Sequence, residues 1–201
     1  MLLSSLLDPR FIKLNLAART KNEVIEILLN EMFTHYRFQL SRDEVQQAIA
    51  AREALKGTVF HSGLAVPHAR IELFNDILIG IATLQSPIEE DGVQIRLVVL
   101  ILTSRTTSNL YLNCLAAFTR ISNDTAVFSR LIAAGNADEL INQVQVLNIE
   151  VKPELTVEQI MVNRIVGVQP TMPVRQVIDI MSENDVSYVP VIGNNCSFMG
   201  E

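Results

Sequence analysis

The sequence is poor in the residues that mark several large classes of protein. It holds two cysteines in 201 residues, Cys114 and Cys196, far apart and in contexts that read as different domains, which argues against a disulfide framework. Its longest purely apolar run, Leu97 to Leu102, is strand length and far short of a bilayer span, so no membrane insertion is expected. No Lys/Arg block occurs and the formal net charge is -6, which argues against nucleic acid or an anionic membrane as partner. A small anion needs only local charge and stays open. MLLSSLLDPR carries no basic leader and is broken at Asp8-Pro9, unlike a secretion signal; a cytoplasmic protein is expected.

What is present fits a globular chain with one good core and room for a second small domain: 49% of residues are apolar and 19% charged. Thr20-Lys21-Asn22-Glu23 and Ser41-Arg42-Asp43-Glu44 have the form of capping boxes. They predict helices through Val24, Ile27, Leu28 and Met32, and from Arg42 to about Leu55, the second stopped by Gly57. From Asp76 to Leu84 and from Val93 to Thr103 the Ile/Val-rich runs suit strands covered on both faces, with Ser86-Pro87 and Asp91-Gly92 as turns between them. Helices are expected again at 108–121, after Asn123 to about Ala134, and at 137–147. The sum is an α/β layer architecture, a mixed sheet flanked by helices, over residues 1–148. NIEVKPEL reads as a linker, placed at 149–154. A small α+β unit follows at 155–201, with a strand in IVGVQP, a helix capped by Thr171 and a strand in SYVPVI.

GLAVPHAR, residues 63–70, draws attention because the chain has only three histidines. Pro67 fixes its own φ and biases Val66 to be extended, while Gly63 permits a turn, so His68 is expected on a rigid presenting loop. Arg52 falls on the same helical face as Val45, Ala48 and Ile49 at about 100° per residue. Either it snorkels outward beside the negative end of the helix dipole, or it waits for an anion such as a phosphoryl group. Arg70, two residues past His68, projects to the same side if the segment is extended. His61 and His68 have no further ligands at metal spacing, so no metal site is expected; His35 reads as a helix-end residue, and Ser62 has no local triad.

AREALKGTVFHSGLAVPHAR resembles the signature of the IIA components of the bacterial sugar phosphotransferase system of the fructose, mannitol and nitrogen-regulatory type. Arg52, Glu53, Thr58, Gly63, Ala65, Pro67 and His68 carry the resemblance, which extends loosely over residues 3 to 147. It implies the type-2 IIA fold and a phosphohistidine relay: His68 accepts a phosphoryl group from the phosphocarrier HPr and Arg52 neutralises its charge, with no cofactor or metal in the transfer. A IIB domain or a regulated target protein would receive it. The family's second histidine, in a His-Leu-x-x-Leu context, is replaced in Tyr111-Leu112-Asn113-Cys114-Leu115 by a tyrosine. Tyr111 is either an aide to His68 or the phosphoryl group, or a core aromatic with a wet tip. Phe60 and His61 stand where the family prefers small residues.

TVEQIMVNRIVGVQPTMPVRQVIDIMSENDVSYVPVIGNNCSFMGE resembles the first three-quarters of a CBS motif: an entry helix, a short strand, a Pro-Val helix start and a Ser-x-x-Pro-Val strand. Such motifs work in pairs, and a completed pair would be expected to bind an adenine nucleotide. A single partial copy implies a chain cut short or a homodimer formed through this unit. Two functions are therefore weighed: a phosphoryl carrier, favoured in a regulatory role since no transporter segment is attached, and a non-catalytic regulatory module with a degenerate IIA-like domain and a nucleotide-sensing or dimerising CBS unit.

Overall fold

A computed structural model describes residues 1–55, 58–71, 76–104, 107–152, 165–184, 186–193 and 197–200. The chain divides into two compact units, Met1–Leu155 and Thr156–Glu201. In the first, β1 (Ile12–Leu16), α1 (Lys21–His35) and α2 (Arg42–Leu55) precede the short strands β2 (Val59–Phe60), β3 (Leu64–Ala65) and β4 (His68–Arg70). The long hairpin β5 (Ile77–Glu90) and β6 (Val93–Thr103) follows, then α3 (Ser108–Asn123), α4 (Thr125–Ile132) and α5 (Ala137–Val146).

The sheet runs β1-β5-β6-β3-β2, with β4 also beside β6. β1 is parallel to β5, β3 and β4 are parallel to β6, and the β5/β6 and β2/β3 pairs are antiparallel, so the sheet is mixed. Both faces of the central hairpin are dry, as expected of continuous Ile/Val/Leu runs. Ile77, Ile79, Ile81, Leu97, Val99 and Ile101 pack with α3, α4 and α5 on one side. Leu78, Ala82, Val98, Leu100 and Leu102 meet Val24, Leu28, Leu29, Met32, Val45 and Ile49 of α1 and α2 on the other. The period-two alternation of a strand sorts these side chains into two cores from one run of sequence.

Local chemistry sets the element ends. Glu44 and Ser41 form a full capping box: the Glu44 amide donates to Ser41 Oγ (3.3 Å) and the Ser41 amide to Glu44 Oε2 (2.8 Å). At α1 the Thr20 side chain caps the Glu23 amide, but Glu23 reaches back one residue further, to the Arg19 amide. Ser86-Pro87 is not a turn. It lies within β5 at the register shift between Thr83 and Ile88, where a residue lacking an N–H is tolerated, and Asp91-Gly92, both at positive φ, make the hairpin turn alone.

Residues 149–151 depart from the linker expected there. Leu2 bridges Glu150, the Leu3 amide donates to the Ile149 carbonyl, and Ile149 and Val151 are buried in the first unit's core. The proline and alternating charge masked a short edge pairing whose partner lies almost the whole domain away. GLAVPHAR is likewise strand rather than loop: residues 64–70 keep one register along β6, from Leu64↔Leu97 to Arg70↔Thr103, straight through Val66-Pro67.

In the second unit, α6 (Val174–Glu183), β7 (Val191–Ile192) and β8 (Phe198–Gly200) are present, with Val168 bridging Val191. Pro173, not Thr171, occupies the N-cap of α6 and makes no side-chain capping bond. Gly57, the expected entry helix before Ile165 and the Asn194-Asn195 turn lie outside the described residues.

Gly63 closes the β2–β3 turn at φ +89°, and a Cβ there would stand 2.7 Å from the Gln94 carbonyl oxygen. Gly63→Ala is expected to cost well over about 1 kcal/mol, through backbone strain plus collision with backbone. Gly92→Ala, at φ +77° in open space, should cost less, because it carries the strain alone. Urea unfolding midpoints of the two variants check this order; equal losses would contradict it.

Candidate functional site

His68 is delivered by the sheet edge. The Val66 amide donates to the Thr58 carbonyl, the last rung of the β2–β3 pairing. Pro67 turns its backbone to the other edge, its carbonyl accepting from the Ile101 amide, and the residues after it pair with β6. His68 and Arg70, two apart on an extended strand, both line a cleft of about 460 Å³ with Arg52, Thr103, Asn109 and Tyr111. All four residues singled out from the sequence thus meet in one place, although they come from α2, β4 and α3. Arg70 is exposed there, whereas His68 is only 6% exposed.

The imidazole is held from both ends. Arg52 Nε donates to His68 Nε2 at 3.0 Å, and the Tyr111 hydroxyl lies 2.9 Å from the same atom. The Tyr111 ring stacks on the imidazole, with centroids 4.4 Å apart and planes at 24°. Burial pushes the Tyr111 phenol up to about 12, so it keeps its proton at neutral pH. A guanidinium cannot accept and a carbonyl cannot donate; Nε2 therefore carries the lone pair and Nδ1 the proton, which is donated to the Val66 carbonyl at 3.2 Å. Burial holds the His68 imidazolium below its ordinary range, and the Arg52 charge adds to this; the Val66 hydrogen bond and the Glu53 charge oppose it. The resting ring is neutral, in one tautomer, with its lone pair facing the cleft.

Arg52 does not snorkel away, and Tyr111 is both things the sequence left open: a buried aromatic of the core and a hydroxyl touching the histidine. Behind the Val66 carbonyl lies a set of contacts the sequence did not reveal. Thr58 Oγ1 is 2.7 Å from that carbonyl oxygen and 2.9 Å from Glu53 Oε1, and Lys21 Nζ donates to Glu53 Oε2 at 2.7 Å and also to Glu90. Glu53 and Thr58 were visible as motif positions. Lys21 was hidden by its place in a capping box, where a lysine reads as a solvated first-turn residue. His35 closes α1, its Nδ1 donating to the Glu31 carbonyl, and His61 is exposed. Among the described residues no group of three or more His, Cys, Asp or Glu is placed to hold a metal ion, and no helix is long and apolar enough to cross a membrane. Two arginines and the N-terminal turn of α3 around a neutral imidazole make a cleft suited to a small anion.

A family model described as "Phosphoenolpyruvate-dependent sugar phosphotransferase system, EIIA 2" matches residues 5–146. The chain belongs to this EIIA 2 family. A CBS domain model matches residues 157–200. No curated protein matches the chain significantly. Among solved structures, the EIIA 2 unit is similar to the nitrogen regulatory protein IIA-Ntr from Neisseria meningitidis, with 19% identity over 71% of this chain and 98% of that one and a TM-score of 0.59. IIA mannitol from Escherichia coli is 24% identical over 69% of this chain and 98% of that one, with a TM-score of 0.55. The same IIA protein in complex with phosphorylated IIB gives 22%, 70%, 97% and a TM-score of 0.58. The mixed sheet flanked by helices in this EIIA 2 chain is the fold of these structures.

Because the folded state disfavours the His68 imidazolium, it binds fewer protons there than the unfolded chain. This histidine costs nothing above its ordinary range. As pH falls below about 6.5 the unfolded chain gains a proton that the native ring resists, and stability drops. An NMR titration of the ring should give a His68 midpoint below the ordinary histidine value of about 6.5; a midpoint equal or higher would contradict the geometry.

Proposed function

We propose that the chain is a histidine phosphoryl carrier that accepts its phosphoryl group from HPr on Nε2 of His68. The observation that carries this reading is the Nε2 lone pair, held in the nucleophilic tautomer and directed into a cleft lined by Arg52, Arg70 and Tyr111. In the transfer the lone pair forms the new N–P bond while the bond from phosphorus to the donor breaks and its electrons leave with the donor. No proton needs to move, because Nδ1–H stays on the Val66 carbonyl. The two donors now aimed at Nε2 lose their acceptor when the N–P bond forms, and phosphoryl oxygens take its place about one bond length further out. Arg52 supplies positive charge and Tyr111 a neutral hydrogen bond, so the catalytic contribution is alignment and charge neutralisation. A hydroxyl can do there what the family's second histidine does as a donor, without adding a second titrating cation. No cofactor or metal enters this step.

The phosphoryl group would pass to a IIB-type domain or to a regulated target protein; in one similar structure a IIA protein is seen with a phosphorylated IIB partner. A cytoplasmic, regulatory role is the reading favoured here, because a CBS domain follows the carrier unit. Among the described residues α6 buries no side chain; Val174, Tyr188 and Met199 are exposed along a cleft of about 640 Å³, and Ile178 and Phe198 are exposed as well. That open apolar face supports pairing with a second copy and adenine nucleotide binding at the completed pair. Sedimentation should then report a dimer that Ile178→Asp dissociates, and calorimetry with AMP and ATP should report binding. A monomer with no nucleotide heat would remove this part.

Incubation with phosphoenolpyruvate, the first enzyme of the system and HPr is expected to add one acid-labile phosphoryl group by intact mass, absent in His68→Ala. No adduct on the wild-type chain would sink the carrier reading. Tyr111→Phe keeps the stacking and removes the hydroxyl, so labelling should slow by about tenfold or more, the worth of a hydrogen bond to a charged group. An unchanged rate would show that the phenol does not act on the phosphoryl group.

A further inference from the structure

Lys21 is in an unfavourable place. It is the first residue of α1, where the helix dipole disfavours a cation, and it is only 8% exposed. Its ammonium is held by Glu53 at the end of α2 and Glu90 at the end of β5. Burial pulls its pKa down, yet hydrogen bonds to the two carboxylates outweigh that and hold it above its ordinary value, so it is charged in the fold. A cation kept at such a position must do something its α1 neighbours do not. What it meets leads by short steps to the imidazole. Glu53 Oε2 takes the lysine, Glu53 Oε1 lies 2.9 Å from Thr58 Oγ1, Thr58 Oγ1 lies 2.7 Å from the Val66 oxygen, and that oxygen receives Nδ1–H of His68.

We propose that Lys21 is a positioning residue for His68, acting through Glu53, Thr58 and the Val66 carbonyl on the ring nitrogen opposite the nucleophilic one. Lys21 anchors the Glu53 carboxylate, and anchored Glu53 sets where the single Thr58 hydroxyl proton points. The Val66 carbonyl, which receives Nδ1–H, and Glu53 Oε1 compete for that one proton, so pairing Glu53 with Lys21 leaves more of it to the carbonyl. Glu53 also follows Arg52 directly in sequence, so tethering its side chain steadies the end of α2 that carries the guanidinium. The salt bridge to Glu90 adds a third element to the clamp. Without the ammonium, Glu53 and Glu90 would face each other uncompensated, and the Thr58 contact would be free to rearrange.

This deepens the carrier reading and rests on it for the kinetic half of its test. Lys21→Met, Lys21→Arg and Thr58→Val are compared with wild type for phosphoryl transfer from phosphorylated HPr, for thermal midpoint, and for the ¹⁵N and ¹H resonances of the His68 ring. Lys21→Met is expected to lower kcat about tenfold or more with KM for HPr nearly unchanged, because a misplaced nucleophile loses rate while the docking surface stays intact. Its Nδ1–H resonance should shift and exchange faster with water. Lys21→Arg, which keeps the charge, should recover most of both, and Thr58→Val should reproduce the loss even if Lys21→Met fails to fold. Folded Lys21→Met with wild-type kcat and unmoved ring resonances would overturn the proposal, as would a lowered thermal midpoint with those resonances unmoved. Thr58→Val without effect on the ring would do the same. If wild type takes no phosphoryl group from HPr, the carrier reading falls while the ring resonances still decide the role of Lys21.

Discussion

The hydrogen bond from Nδ1 of His68 to the Val66 carbonyl is the interaction on which the rest of the site depends. A neutral imidazole has one N–H and one lone pair, and committing the N–H to the backbone commits the lone pair to the cleft. The carbonyl can serve because Val66 turns its backbone away from β6, its amide taking the last bond toward β2 and its oxygen meeting Thr58 Oγ1 and His68 Nδ1, while Pro67 faces β6. Thr58 reaches the carbonyl from one strand away, while Gly63 lets the chain turn closely enough against β6 to start the strand in register. The positions of the resemblance are therefore a mechanical set: each holds one backbone or side-chain group that the next one needs.

Electrostatically the cleft balances two demands. A phosphoryl acceptor must be unprotonated, and burial together with the Arg52 charge keeps His68 so. A phosphoryl group, once bound, needs positive charge and donors, and Arg52, Arg70 and the phenol of Tyr111 surround the position it would take. Tyr111 keeps a hydrogen-bonding group against His68 where the family's second histidine stood. It contributes stacking and a hydroxyl from a helix whose inner face, Leu110, Cys114, Phe118 and Ile121, is core, and it does not add a second titrating ring.

The two units differ in how complete their cores are. In the EIIA 2 unit both faces of the sheet are covered, one by α1 and α2 and the other by α3, α4 and α5. In the CBS unit the described helix buries no side chain and large apolar side chains such as Val174, Ile178 and Phe198 are exposed, as expected of a unit of fewer than about 50 residues.

Much of the fold was legible in local chemistry. Capping boxes at Thr20 and Ser41 announced two helices because a cap acts within four residues, and the Ile/Val runs announced buried strands because burial on both faces leaves no room for polar alternation. Ser86-Pro87, read as a turn, and residues 149–151, read as a linker, went wrong where a distant partner decides: a proline at a bulge and an edge strand paired to the N-terminus look like loops until their neighbours are in place. The sequence by itself determined that His68 would be presented by a stiffened segment, and that Arg52 would share a face with core residues. Only the tertiary structure decided which nitrogen faces the cleft, that Tyr111 reaches it, and that Lys21 stands behind it. Those outcomes depend on contacts between α1, α2, β4 and α3, separated by up to 90 positions in the chain, and no local rule couples groups so far apart.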